Sequence, residues 1–168
     1  MRASDIKSMK EITTPEMFRL RAYLEALSEL LIDENYEIRL EARGLETSED
    51  QSIQEIIKKV YPEARTEKAE FILCSIDQMI ERINKSIGLA IASHCLPAIS
   101  SLARARISGH LLALLRDCLD YDRARLIEYR PAQGVDDELW DFIYWGFTFL
   151  IYNQEQARCV IIHGSASD

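Results

Sequence analysis

Cysteine and histidine are the residues of this chain best suited to covalent or acid–base chemistry, and each pairing can be tested by spacing. Cys159 and His163 stand four apart; on a strand they share a face about 13 Å from one another, too far for proton transfer. Cys118 and His110 are eight apart, which on a helix means two turns and about 12 Å of rise. His94 and Cys95 are neighbours, and adjacent helical side chains point in different directions. No Cys–His nucleophile pair is therefore indicated by local sequence. The histidines show no H-x-x-x-H or H-E-x-x-H spacing and the cysteines (Cys74, Cys95, Cys118, Cys159) no C-x-x-C, so metal ligation is not expected either. The cysteines read as small core residues. Phosphate-cradling glycine loops and a G-x-S-x-G elbow are also missing from the sequence, and no cofactor is expected.

The densest acidic group is Asp136, Asp137, Glu138 and Asp141. Carboxylates in this position suit the first turn of a helix after Gly134, where they meet the positive end of the helix dipole; a divalent-ion site is the lesser alternative. Interleaved with these acids are both tryptophans of the chain, Trp140 and Trp145. Aromatics anchor interfaces and acids steer basic partners. We therefore take Asp136, Asp137, Glu138, Trp140, Asp141 and Trp145 as the candidate partner-binding residues. The competing reading is that the tryptophans close one end of the core.

The balance of charge agrees with a protein partner. A formal charge of −8 over 168 residues argues against a general nucleic-acid binder, whose affinity comes from Lys and Arg. Residues 33–55 carry eight acids against Arg39 and Arg43, a net −6. Residues 104–130 carry six arginines against four acids, a net +2, and the interleaving predicts a solvated helix face with local ion pairs. The N-terminal segment shows no apolar signal-peptide core. The uncharged run 86–103 contains four serines, a histidine and a proline, which suits a buried helix pair better than a membrane span. A cytoplasmic location is expected, without membrane attachment.

The elements that must position these residues follow from periodicity. Thr13-Thr14-Pro15-Glu16 resembles a capping box, with Thr13 as cap, and opens a helix whose Met17, Leu20, Leu24, Leu27 and Leu31 share a face. Residues 36–42 alternate apolar and charged, predicting a half-buried strand that Gly44 ends. Ser48 with Gln51 opens a short helix through Ile53, Ile56, Ile57 and Val60. A long helix is expected from Thr66 to about His94, broken by Pro97, and another from Ala98 to Tyr121 with Leu102, Leu111, Leu115, Cys118 and Leu119 in the core. Beyond residue 122, the segments 142–152 and 158–163 are rich in aromatic and β-branched residues around a polar loop, predicting a β-hairpin, with 125–130 as a third strand.

The composition, 48% apolar and 29% charged with 6 Gly and 4 Pro, suits one ordinary domain spanning residues 1–168. The expected fold class is α+β: mostly helical, with two long antiparallel helices forming most of the core and a small antiparallel sheet including the C-terminal hairpin. An all-α bundle is the alternative. The expected function is that of a non-catalytic protein-binding module, an acidic inhibitor, antitoxin or immunity-type protein that neutralises a basic partner. Two other classes remain open: a sensor or carrier with an apolar cavity between the helices of 86–103, and an enzyme whose site is assembled from distant residues.

Overall fold

Residues 9–31, 37–48, 51–93, 101–131 and 145–167 are described by the computed structural model of the chain. The first helix, α1 (Pro15–Leu31), begins with proline because the N–H that proline lacks has no intrahelical partner in the first turn. Its cap is Thr14, not Thr13: the Thr14 carbonyl accepts from Phe18 N–H at 3.1 Å and its hydroxyl from Met17 N–H at 3.5 Å. Helix α2 (Ile53–Val60) carries a capping box, but on Ser52 and Glu55 rather than Ser48 and Gln51. Gln51 instead folds back so that its side-chain oxygen accepts from Ser48 N–H at 2.8 Å. Helices α3 (Ile76–Ser93) and α4 (Ser101–Cys118) run antiparallel, joined at mid-length by the Ser108 hydroxyl donating to Asn84 Oδ1 at 3.0 Å.

The expectation of a mostly helical protein with a small sheet is overturned. Strands occupy 31% of the described residues and form one six-stranded antiparallel sheet in the order β1 (Lys10–Glu11), β2 (Glu37–Glu46), β6 (Arg158–Ser167), β5 (Trp145–Asn153), β4 (Arg125–Arg130), β3 (Glu70–Leu73). The hairpin of β5 and β6 and the third strand β4 are where the sequence placed them. Strand β2, however, runs ten residues, through Gly44, and pairs along its whole length with β6, from Glu37 opposite Ser167 to Glu46 opposite Arg158. Gly44 does not end the strand. It sits where a Cβ would lie 3.0 Å from Met17 Sδ and 3.1 Å from Ile12 Cβ, so it lets α1 lie close against the sheet. Strand β3 interrupts the helix expected from Thr66, and Ser75 with Gln78 then caps the shortened α3.

Because side chains alternate across a strand, each strand serves two cores. Ile38, Leu40, Ala42, Phe147, Phe149, Ile151, Val160 and Ile162 face α1, α3 and α4, where Leu20, Leu24, Met79, Ile87, Leu111 and Leu115 meet them. On the opposite face Leu45, Ile127, Tyr129, Leu150, Cys159 and Ile161 pack beneath Ile56 and Ile57 of α2. The core is therefore centred on the sheet rather than on the helix pair. Leu102, expected inside, is 62% exposed, at the outer end of α4.

Candidate functional site

An edge strand offers unpaired backbone groups to any passing chain, and proteins cover such edges. Along β2 the covering is done by α1 and the segment before it. Ser28 Oγ accepts from Leu40 N–H at 2.7 Å and donates to Leu24 C=O at 3.0 Å. Arg21 Nε donates to Ala42 C=O at 3.2 Å, and Ile12 N–H to Gly44 C=O at 2.8 Å. Ser28 is buried, so Ser28→Ala should leave the Leu40 N–H without a partner. The expected cost is about 1–2 kcal/mol, read as a lower midpoint in urea unfolding, whereas an unchanged midpoint would mean that the edge is satisfied by another route.

Beside this covered edge runs a cleft of about 520 Å³ lined by Arg21, Glu25, Glu29, Arg39, Glu41 and Arg43 among others. Its charges alternate. Arg39 reaches Glu41 at 2.7 Å, Arg43 lies 3.7 Å from Glu41 and 3.8 Å from Glu11, and Arg21 closes the series on Glu11 at 2.6 Å. Arg39 and Arg43 are 59% and 43% exposed at their side chains while Glu41 is 14% exposed, so the arginines present the outer surface. The Tyr61 hydroxyl, at the C-terminus of α2, donates to Glu41 at 2.6 Å. Burial pushes the Glu41 pKa up, but Tyr61, Arg39 and His163 more than offset this and hold it below the ordinary value. Tyr61 itself is pushed well above its ordinary value, first by burial and then by the Glu41 charge.

Behind Glu41, His163 of β6 is opposite Glu41 in one register and Thr148 of β5 in the other. Its Nδ1 is 2.9 Å from Thr148 Oγ1, and its ring lies 5.7 Å from that of Tyr61. Burial lowers the His163 pKa to about 4, with Arg39 adding to the effect and Glu41 and the Phe147 backbone opposing it. At neutral pH the imidazole is therefore uncharged. Two hydrogen-bonded pairs, Tyr61 with Glu41 and Thr148 with His163, thus meet through the Tyr61–His163 ring contact under a charged ridge.

Of the candidate partner-binding residues, Asp136, Asp137, Glu138, Trp140 and Asp141 lie outside the described residues. Trp145 opens β5 opposite Ala166, so the acid–aromatic segment leads straight into an interior strand of the sheet. Cys159 is fully buried with its pKa raised to about 12 by burial, and Cys118 is raised to about 11 by burial and by Glu16 and Asp117. His110 packs edge-on against Tyr23 at 4.8 Å, while His94 and Cys95 lie outside the described residues. Among the described residues, no group of three His, Cys, Asp or Glu is arranged to hold a metal ion.

In the described part of the acid-rich stretch 33–55, two carboxylates are engaged within the fold while Glu46 stays exposed. Glu41 is taken up by arginines and Glu55 by the α2 cap. Three of the six arginines of 104–130 make local ion pairs: Arg116 with Asp122, Arg123 with Asp120 and Glu155, and Arg130 with Glu128. Arg39, Glu41 and Arg43 had a signal in the sequence, their i, i+2 spacing on one strand face. Arg21, Tyr61 and His163 had none, because they join the ridge only through the tertiary fold.

The architecture is that of an α+β protein with helices on both faces of a six-stranded antiparallel sheet. Two solved structures share it: crystal structures of citrus MAF1 in space groups P 31 2 1 and C 2 2 21, with TM-scores of 0.55 and 0.57 at 13% and 14% identity. Each alignment covers 86% of this chain and 98% of the citrus chain. No protein-family model matches the sequence, and no curated protein matches it significantly. Among the described residues no helix is long and apolar enough to cross a membrane.

Proposed function

We propose that this chain, with its MAF1-like fold, is a non-catalytic protein-binding module of regulatory type that acts on a basic protein partner. The observation that carries the reading is where the fold puts its reactive groups. Cys118 and Cys159 are buried with pKa values raised to about 11 and 12, whereas a nucleophilic cysteine needs a thiolate at working pH. His163 is locked beneath Glu41 and Tyr61. Cys118, Cys159 and His163 are thus committed to the interior, which favours the surface as the working part. Cys74, Cys118 and Cys159 are all free thiols, which suits a reducing, cytoplasmic setting.

On this reading the acidic balance of the chain steers the partner, and the segment Asp136, Asp137, Glu138, Trp140, Asp141 and Trp145 makes the contact, as in proteins of the inhibitor or immunity type. Replacing Asp136→Asn, Asp137→Asn and Glu138→Gln together should slow association with a basic protein partner isolated by affinity capture about ten-fold at low salt and flatten its salt dependence. Surface-based kinetics at two ionic strengths would check this. An unchanged on-rate would remove these carboxylates from the interface.

A further inference from the structure

The two edges of the sheet are treated differently. On the β2 side, Ser28, Arg21 and Ile12 bridge Leu40, Ala42 and Gly44, and β1 pairs with Leu45 and Glu46. The opposite edge is β3, a four-residue strand paired on one side with β4. Cys74 N–H donates to Leu126 C=O at 3.0 Å, which sets the hydrogen-bonding phase: Ile72 and Glu70 bond to β4, while the N–H and C=O of Phe71 and Leu73 point outward. Among the described residues, no hydrogen bond reaches those outward groups. Leu73 is 69% exposed beside them.

A pocket of about 280 Å³ opens next to this edge, lined by Ile72, Leu73 and Cys74 on the strand side, by Gln78, Arg82 and Lys85 of α3, and by Arg130 of β4. Its cations are Arg82, Lys85 and Arg130 and its anions Glu81 and Glu128, a net charge of +1. Arg130 holds Glu128 at 2.6 Å. Arg82 approaches Glu128 only to 3.9 Å, and Arg82 Nε and Glu128 Oε1 are buried without a hydrogen-bond partner. Lys85 is exposed and no ion pair engages it among the described residues. The pocket thus holds cationic donors that its own carboxylates leave partly unused.

We propose that the β3 edge is a docking site for an extended segment of a partner protein, which adds as a seventh strand and places an Asp or Glu side chain against Arg82 and Lys85. Main-chain bonds to Phe71 and Leu73 supply the register, and the basic pocket supplies selectivity, the division of labour usual in strand addition. This proposal shares with the proposed function only the premise of protein binding.

The test uses the full chain and a synthetic probe, an acetylated and amidated hexapeptide alternating valine with threonine and carrying one central glutamate. At millimolar peptide the amides of Phe71 and Leu73 should shift in NMR spectra and gain protection from hydrogen exchange. A peptide with glutamine in place of glutamate should bind about ten-fold more weakly, the value of one charge-assisted hydrogen bond, and Lys85→Glu should weaken the glutamate peptide by a similar factor. Leu73→Pro removes an outward donor without touching the β4 ladder; it should abolish binding while leaving the thermal midpoint within a few degrees. Lys85→Glu, at an exposed position, keeps the test decisive if the proline variant folds poorly. Peptide that protects neither amide, or that binds both variants as it binds the parent, would overturn the proposal. So would protection of the same amides that rises with protein concentration alone, which would make a second copy of the chain the occupant. Because no natural partner is needed, failure here would leave the acid–aromatic interface standing.

Discussion

Between pH 6.5 and pH 4 the protein is expected to lose on the order of 3 kcal/mol of folding stability through a single residue, His163. In the unfolded chain its imidazole takes up a proton near the ordinary value of 6.5, whereas in the folded protein burial lowers the pKa to about 4. The unfolded state therefore binds the proton first as the solution is acidified. The stability that His163 contributes is full above pH 6.5 and falls progressively until the folded pKa is reached, and the size follows from about 1.4 kcal/mol per pKa unit. Glu41, whose folded pKa lies below its ordinary value, adds a separate loss at lower pH, as the solution falls through that folded pKa. Urea unfolding at a series of pH values would resolve the first window. His163→Gln, which cannot titrate there, should flatten the slope whatever its absolute stability, and an equal slope in parent and variant would show that another group carries it.

Gly164→Ala is expected to cost about 3 kcal/mol, the upper part of the range for overpacking a closed core. A Cβ at this position would lie 2.3 Å from Phe147 Cζ and 2.8 Å from Leu40 Cδ2. The Phe147 ring is fully buried and packs on Phe149 at 5.6 Å, so it has nowhere to move. In a chain of this length such a loss corresponds to a fall in thermal midpoint of about 6–12 °C. Adding Phe147→Leu should restore part of the loss, a coupling of at least about 1 kcal/mol in a double-mutant cycle. Additive losses would mean that the clash is relieved by backbone movement instead.

The parts of this fold that the sequence discloses are those whose partners are local. The β5–β6 hairpin is readable because two aromatic and β-branched runs flank a short polar loop, and β4 because its pattern ends at Pro131. Strand β2 is readable from alternation, but its true length is not. Gly44 looks like a stop until Ile12 and Met17 are seen pressing on it. Strand β3 is hidden because Glu70–Leu73 lies in an apolar rhythm that also fits a helix, and its partner begins near residue 127. The dominance of the sheet is hidden for the same reason, since it depends on β2 finding β6, residue 37 against residue 167. The charged ridge follows this rule: Arg39, Glu41 and Arg43 are visible on one strand face, whereas Tyr61 and His163 reach Glu41 only after the distant segments pair.

Binding of a basic protein by this chain would be read from affinity capture out of native lysate at low and moderate salt. The parent would be run beside the Asp136→Asn, Asp137→Asn, Glu138→Gln variant, and bound proteins identified by mass spectrometry. The expected result is one stoichiometric, basic partner that the parent retains at low salt and releases as salt rises, and that the variant captures poorly. A parent that captures no protein at either salt would contradict it.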